Sequence, residues 1–255
     1  MKETRSLLNS LVVGGVALAM VSTLVAQTVN QGTAKVVRLK GAARYAGGPN
    51  NGQLLKVGDV IKPGSVIQTA AKSHVDLLLG EGSAPVLRPV AGEMLSYHPS
   101  AEQNLVRMWE NTLLGVDKLA FTETGADVVT ETQLDLKAGH IFGVVKKMSA
   151  ASKYEVKIPS GVAGIRGTTY DISAEGVVKV LVGSIVLAYL GPDGTVVTQV
   201  IMGLQQFDAR TGVLSALPDL DKTALGALVK QASFGFTPAP TPISADKTII
   251  YVSPH

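Results

Sequence analysis

The sequence predicts an all-β protein, and three observations carry that prediction. Short apolar runs separated by glycine and proline fill residues 34–90, a strand meander fills residues 169–202, and two alternating runs flank a glycine cluster just before the meander. The expected architecture is a stack of short strands, irregular β-helix-like or sandwich-like, with one inserted helix and a short C-terminal helix. Strand periodicity leaves the choice between the two stacks open.

Taken in order, the chain begins with Lys2 and Arg5 ahead of an apolar run from Leu11 to Ala26, with Ser22, Thr23 and Ala26 as small residues near its end. The run includes Gly14 and Gly15 and falls short of the ~20 apolar residues a membrane helix needs. Residues 1–26 therefore read as a signal peptide removed after about Ala26. The expected location is periplasmic or secreted, with no membrane span after cleavage.

The body spans residues 34–217. Its first strands are Lys35 to Leu39, Val60 to Ile61, Ser65 to Gln68 and Val75 to Leu79. Residues 99–120 read as the helical insertion: Ser100 caps it, Glu102 lies in its first turn, and Leu105, Met108, Trp109, Thr112, Leu113 and Val116 recur at helical spacing. Residues 121–132 then read as a polar surface loop. Strands resume at Gln133 to Leu136 and His140 to Lys146.

In the next stretch Tyr154, Val156 and Ile158 share one face while Glu155 and Lys157 share the other. Pro159 ends that strand. Gly161, Gly164 and Gly167 then recur every third residue, which suits a connection needing positive φ or close backbone approach. Tyr170 and Ile172 resume the alternation against Asp171. The meander continues through Val177 to Val182, Ser184 to Leu190 and Thr195 to Met202, with Gly191 to Gly194 as a turn.

Residues 218–255 form a tail. Asp219 or Asp221 starts a helix through Ala232, with Leu225, Leu228, Val229 and Ala232 on one face. A Pro-rich spacer from Thr237 to Pro242 leads to a terminal strand from Lys247 to Val252.

The segments Ile158-Pro159, Val162-Ala163, Ile165-Arg166-Gly167-Thr168 and Tyr170-Asp171-Ile172 resemble the diagnostic core of the FecR-domain family. Upstream, Leu55 to Asp59, Lys62 to Thr69, Val75 to Leu79 and Gly80 to Ser83 are similar to its paired glycine turns, strand and following turn. Downstream, Val177 to Gly183 and Met202 to Gln206 resemble its closing strands and Gly-Gln-Gln turn. The ordered set covers roughly residues 34–210. The resemblance implies a β-helix-like stack, and a domain that receives a signal from an outer-membrane receptor or another envelope partner. FecR-type regulators carry a cytoplasmic anti-sigma segment before one span. Only a few residues precede the apolar run here, so a form lacking that segment is expected.

Composition narrows the chemistry. The chain of 255 residues has no cysteine, which excludes disulfides and a thiol nucleophile. Net charge is +3 with basic residues scattered among acids, so nucleic acid is not an expected partner. His74, His98, His140 and His255 form no HxxxH or HxH pair, and no metal or cofactor is expected. Ser83 is not centred in a GxSxG elbow, Glu81 reads as a turn carboxylate, and His140 reads as an outward strand residue. GVAG and GIRG sit between strands, which fits neither a KH loop nor a dinucleotide turn.

No catalytic residue is assigned. The motif centre, Gly161, Gly164, Arg166, Gly167 and Thr168, reads as structural, with Arg166 expected to clamp carbonyls freed by the glycine turn, helped by an acid such as Asp171. The competing reading makes Arg166 a ligand for a carboxylate or sugar. Trp109 reads as a core anchor, and Lys146 and Lys147 as edge protection.

The resulting expectation is a non-catalytic periplasmic or cell-envelope module that binds or senses a protein or an envelope ligand. The alternative is a structural envelope or extracellular-matrix protein that self-associates through strand edges. A hydrolase of envelope polymers has the least support, because no nucleophile, acid pair or metal constellation stands out.

Overall fold

A computed structural model describes residues 28–47, 50–80, 104–124, 127–191 and 193–234. The expected signal peptide, the first part of the expected insertion, the Pro-rich spacer and the terminal strand lie outside the described residues. The strands are β1 (Val29–Gln31), β2 (Thr33–Lys40), β3 (Ala43–Gly47), β4 (Asn50–Leu54), β5 (Val60–Ile61), β6 (Ser65–Thr69) and β7 (His74–Gly80). They continue as β8 (Asn104–Met108), β9 (Leu113–Glu123), β10 (Val128–Ala138), β11 (His140–Val144) and β12 (Lys153–Ile158). Two long strands follow, β13 (Gly161–Ser173) and β14 (Val177–Leu190), then β15 (Val196–Met202), β16 (Gln205–Asp208), β17 (Val213–Ala216) and the helix α1 (Asp219–Phe234).

Alternation of apolar and polar residues dictates which face each strand buries, and pairing then sorts the strands into two layers. The first layer runs β4, β3, β6, β9, β10, β12, the first half of β13, the second half of β14, and β15. The second runs β5, β2, β7, β8, β11, the second half of β13, the first half of β14, β16 and β17. Because β1 pairs with β9 while β2 pairs with β7, the chain crosses between layers at Gly32 and the sheet closes on itself. At the other end β13 and β14 cross together. Between the layers lies one apolar core that includes Val36, Leu77, Val106, Leu134, Val156 and Ile185, all fully buried. Each such side chain contributes roughly 1.5–3 kcal/mol of burial.

Among the described residues only the β10–β12 ladder is parallel. A β-helix stacks parallel coils, so the arrangement is the sandwich-like alternative and not the stack that the resemblance implied. The all-β class with a short C-terminal helix holds.

The inserted helix does not form where the chain is described. Asn104–Met108 is strand β8 and Leu113–Glu123 is strand β9. All five residues of β8 are buried, so both faces are covered and the run loses the alternation that marks a half-exposed strand. Asn111, at φ 53°, turns the chain between the two strands, a conformation no helix interior contains. The expected loop at 121–132 is also mostly strand. Its Thr and Val residues favour pleated backbone, and between β9 and β10 the Thr124 hydroxyl donates to the Asp127 carbonyl at 2.8 Å.

Candidate functional site

The motif centre lies where β13 and β14 leave one layer for the other. Gly167 adopts φ 62° and Gly183, facing it, φ 89°; a Cβ on Gly183 would sit 2.5 Å from the Gly167 carbonyl oxygen. Register shifts at Arg166/Thr169 and Thr169/Tyr170 mark the bulge that bends the pair. Gly161 admits the opposing backbone, since a Cβ there would lie 2.2 Å from the Ala188 carbonyl oxygen, while Gly164 has room around it. The freed carbonyls are satisfied by Thr168, 1% exposed, whose hydroxyl lies 2.8 Å from the Ser184 oxygen and 3.1 Å from the Arg166 oxygen. The Arg166 side chain is exposed on the outer face of the first layer, and Asp171 sits in the second. The clamp expected of Arg166 is thus made by Thr168. Its short hydroxyl side chain reaches one oxygen two residues back and the other on the facing strand with little entropy to lose.

A second constellation crosses the outer face of the second layer. Strand register aligns Arg38 with Asp76, Asp76 with Arg107, Arg107 with Phe142, Phe142 with Asp171, and Asp171 with Lys179. Lys179 in turn faces Gln206. These seven strands therefore carry one ladder of cross-strand neighbours. At its centre the Arg107 guanidinium donates to both Asp76 oxygens, at 2.6 and 2.8 Å, and both residues are almost fully buried. Such a fork-on-fork pair is charge-assisted and held in one geometry. Arg38 adds a longer contact to Asp76 at 3.5 Å.

Helix α1 lies over part of this ladder. Its first turn is acidic, as the helix dipole favours, and Asp221 pairs with Lys179 at 3.0 Å. Near its other end Gln231 accepts from Arg107 at 3.3 Å. Between these contacts Leu225 packs with Phe142 and Leu217, flanked by Val144, Leu181, Leu228 and Val229.

Beside the ladder runs an aromatic row. Trp109 stacks on His140 with centroids 5.6 Å apart and lies 6.3 Å from His74, and the Arg107 guanidinium sits 5.6 Å from the indole centroid. Trp109 is half-buried on this outer face, so it does not anchor the core between the layers. His140 does point outward, as expected.

Burial pushes the Asp171 carboxyl up to about 6; Asp221 adds to the rise, while Lys179 opposes it. The Trp109 N–H also favours the ionised carboxylate, yet it forms no hydrogen bond of good geometry and remains buried. Burial lowers both His140 and His74, with Lys179 acting on the first and Arg107 on the second in the same direction. Among the described residues no group of three His, Asp or Glu could hold a metal ion. The arrangement places paired charges beneath a docked helix. Sequence reasoning missed it because its members come from separate strands; the only local signal was a charge placed singly in each apolar run.

The family model for the FecR protein matches residues 65–186, from the start of β6 into the second half of β14. No curated protein matches the chain significantly. Two crystal structures of a candidate anti-sigma factor from Parabacteroides distasonis are similar, at 14% and 13% identity with TM-scores of 0.35 and 0.31. They cover 49% and 44% of this chain, and the chain spans about half of each, 56% and 49%. Asp76, Arg107, Phe142, Asp171 and Lys179 fall inside the matched segment, while Arg38 and α1 fall outside it. Over residues 65–186 the chain is thus similar to the FecR protein family.

Proposed function

We propose that this protein is a non-catalytic module of the periplasm or cell envelope that binds a protein or envelope ligand and senses it at the ladder beneath α1. The observation that carries the reading is the way α1 is held. Two polar contacts, Lys179–Asp221 and Arg107–Gln231, and one small apolar cluster tie it to a surface bearing a buried ion pair and a buried indole N–H. A ligand that competes for Arg107 or Lys179 changes the helix's docking, which is a differential interaction of the kind a sensor needs. The FecR domain match supports a signalling role, and the basic and apolar N-terminal residues support export.

The test is a fractionation and crosslinking experiment on cells expressing the full chain. A single envelope component that crosslinks near α1, and is lost in Lys179→Ala without loss of fold, is the expected result. Recovery of the protein in the cytoplasm, or turnover of an envelope glycan abolished by changing one carboxylate, overturns the reading.

A further inference from the structure

The first layer ends at β15, which among the described residues forms a ladder with β14 alone. Val200 and Met202 lie opposite Val186 and Ser184 of β14, yet the Met202 N–H donates to Gln205 Oε1 at 2.8 Å and the Val200 carbonyl accepts from Gln199 Nε2 at 2.7 Å. Both groups therefore point away from β14. Since alternate residues of a strand direct their backbone groups to the same side, Val196 and Thr198 share that orientation, and the strand presents a row of donors and acceptors to the open side. Two glutamine side chains cover part of that row in place of a neighbouring strand.

Three of the same four residues give the outer face an apolar character around Thr198: Val196 is 72% exposed, Val200 47% and Met202 54%, continuous with Val186 and Leu190 on β14. No charged residue occurs between Thr195 and Phe207. Natural sheet edges are commonly guarded by lysine, proline or a bulge, and none guards this one.

We propose that β15 is the two-fold interface of a homodimer, in which a second copy adds its own β15 antiparallel to the first. A two-fold axis at Gln199 places Val196 against Met202 and Thr198 against Val200. Both pairs then join residues whose backbone groups face outward, and Val196, Val200 and Met202 of the two copies fall on one surface. The same register sets Asp193 opposite Gln205, so no like charges meet. The lack of charge along the strand fits a partner with the same strand, because neither copy repels the other. An isologous contact of this kind closes at two copies and builds no polymer. The dimer stands independently of the sensing role proposed for the opposite face.

Sedimentation of protein purified after expression of the full chain should show a reversible dimer. Val200→Pro removes an open-edge N–H without touching the β14 ladder, so it should weaken the dimer about tenfold or more while leaving the melting temperature close to that of the parent. The chain has no cysteine, and Gln199 meets its own copy in a non-hydrogen-bonded pair about 4.5 Å apart at Cα. Gln199→Cys should therefore form an intermolecular disulfide under mild oxidation, and Thr198→Cys should not. A monomer up to the solubility limit overturns the proposal. So does a dimer that survives Val200→Pro and fails to crosslink at Cys-substituted position 199. Dimerisation that appears only after residues 235–255 are removed also overturns it, by showing that the tail itself occupies the edge.

Discussion

Arg107 and Asp76 form the most deeply buried ion pair among the described residues. Both are out of water, so each is tolerable only because the other is present. Arg107→Leu leaves a buried carboxylate with only the half-exposed Arg38 beside it, and is expected to cost about 3–5 kcal/mol. Adding Asp76→Leu should recover most of that loss, which urea unfolding of the single and double variants will measure. Asp171 behaves in the opposite sense. With its folded pKa near 6 against an ordinary 3.8, the folded chain keeps a proton that the unfolded chain has already released. Its stabilising contribution is present below about pH 4 and is lost as pH rises through about 6. Asp171→Asn should melt higher than the parent at pH 7, with the difference shrinking toward pH 4. His74 and His140, held below their ordinary range, give a slope of the other sign that persists in the variant. None of these residues announces itself in the sequence. Asp76 and Arg107 are 31 positions apart, and only strand register makes them neighbours.

At the scale of elements, the strands with clean alternation were legible: Tyr154, Val156 and Ile158 are buried along β12, and Tyr170 and Ile172 along β13. Helix α1 was legible as well, from its acidic start and the face bearing Leu225, Leu228 and Val229. Gly226 and the single apolar face leave it little stability of its own, so docking supplies much of it. Leu225→Asp places a charge against Phe142 and Leu217, and should release the helix while the sheet stays folded. Amide exchange in residues 219–234 is expected to accelerate, with β7 and β12 protected as before. Protection lost everywhere at once would show instead that the helix belongs to the global folding unit. What the sequence hid was β8. Its residues Leu105 and Met108, with Trp109 just after it, mimic helical spacing because the strand is covered on both faces, and Arg107 among them is paired and therefore compatible with burial.

For the molecule as a whole, the all-β class was legible in the glycine and proline punctuation, but closure into two layers was not. Closure depends on where long strands bend. The meander read as separate strands before and after Gly183 is one strand, β14, running through both layers. Gly183→Ala meets the Gly167 carbonyl and a φ of 89° together. The strain is expected to cost about 1–3 kcal/mol or more and to lower the melting temperature of the whole sheet cooperatively. A melt like the parent's would mean that the crossing relaxes freely.

The bend has a further result for the two outer surfaces of the molecule. Lys179 and Val186 stand seven residues apart on one strand, yet they look out from opposite sides of the sandwich. One faces the helix and the other borders the unguarded edge. Both surfaces are thus borne by a single continuous strand, as two shelves hang from one rail, and their relative orientation is set by the bend at Gly183.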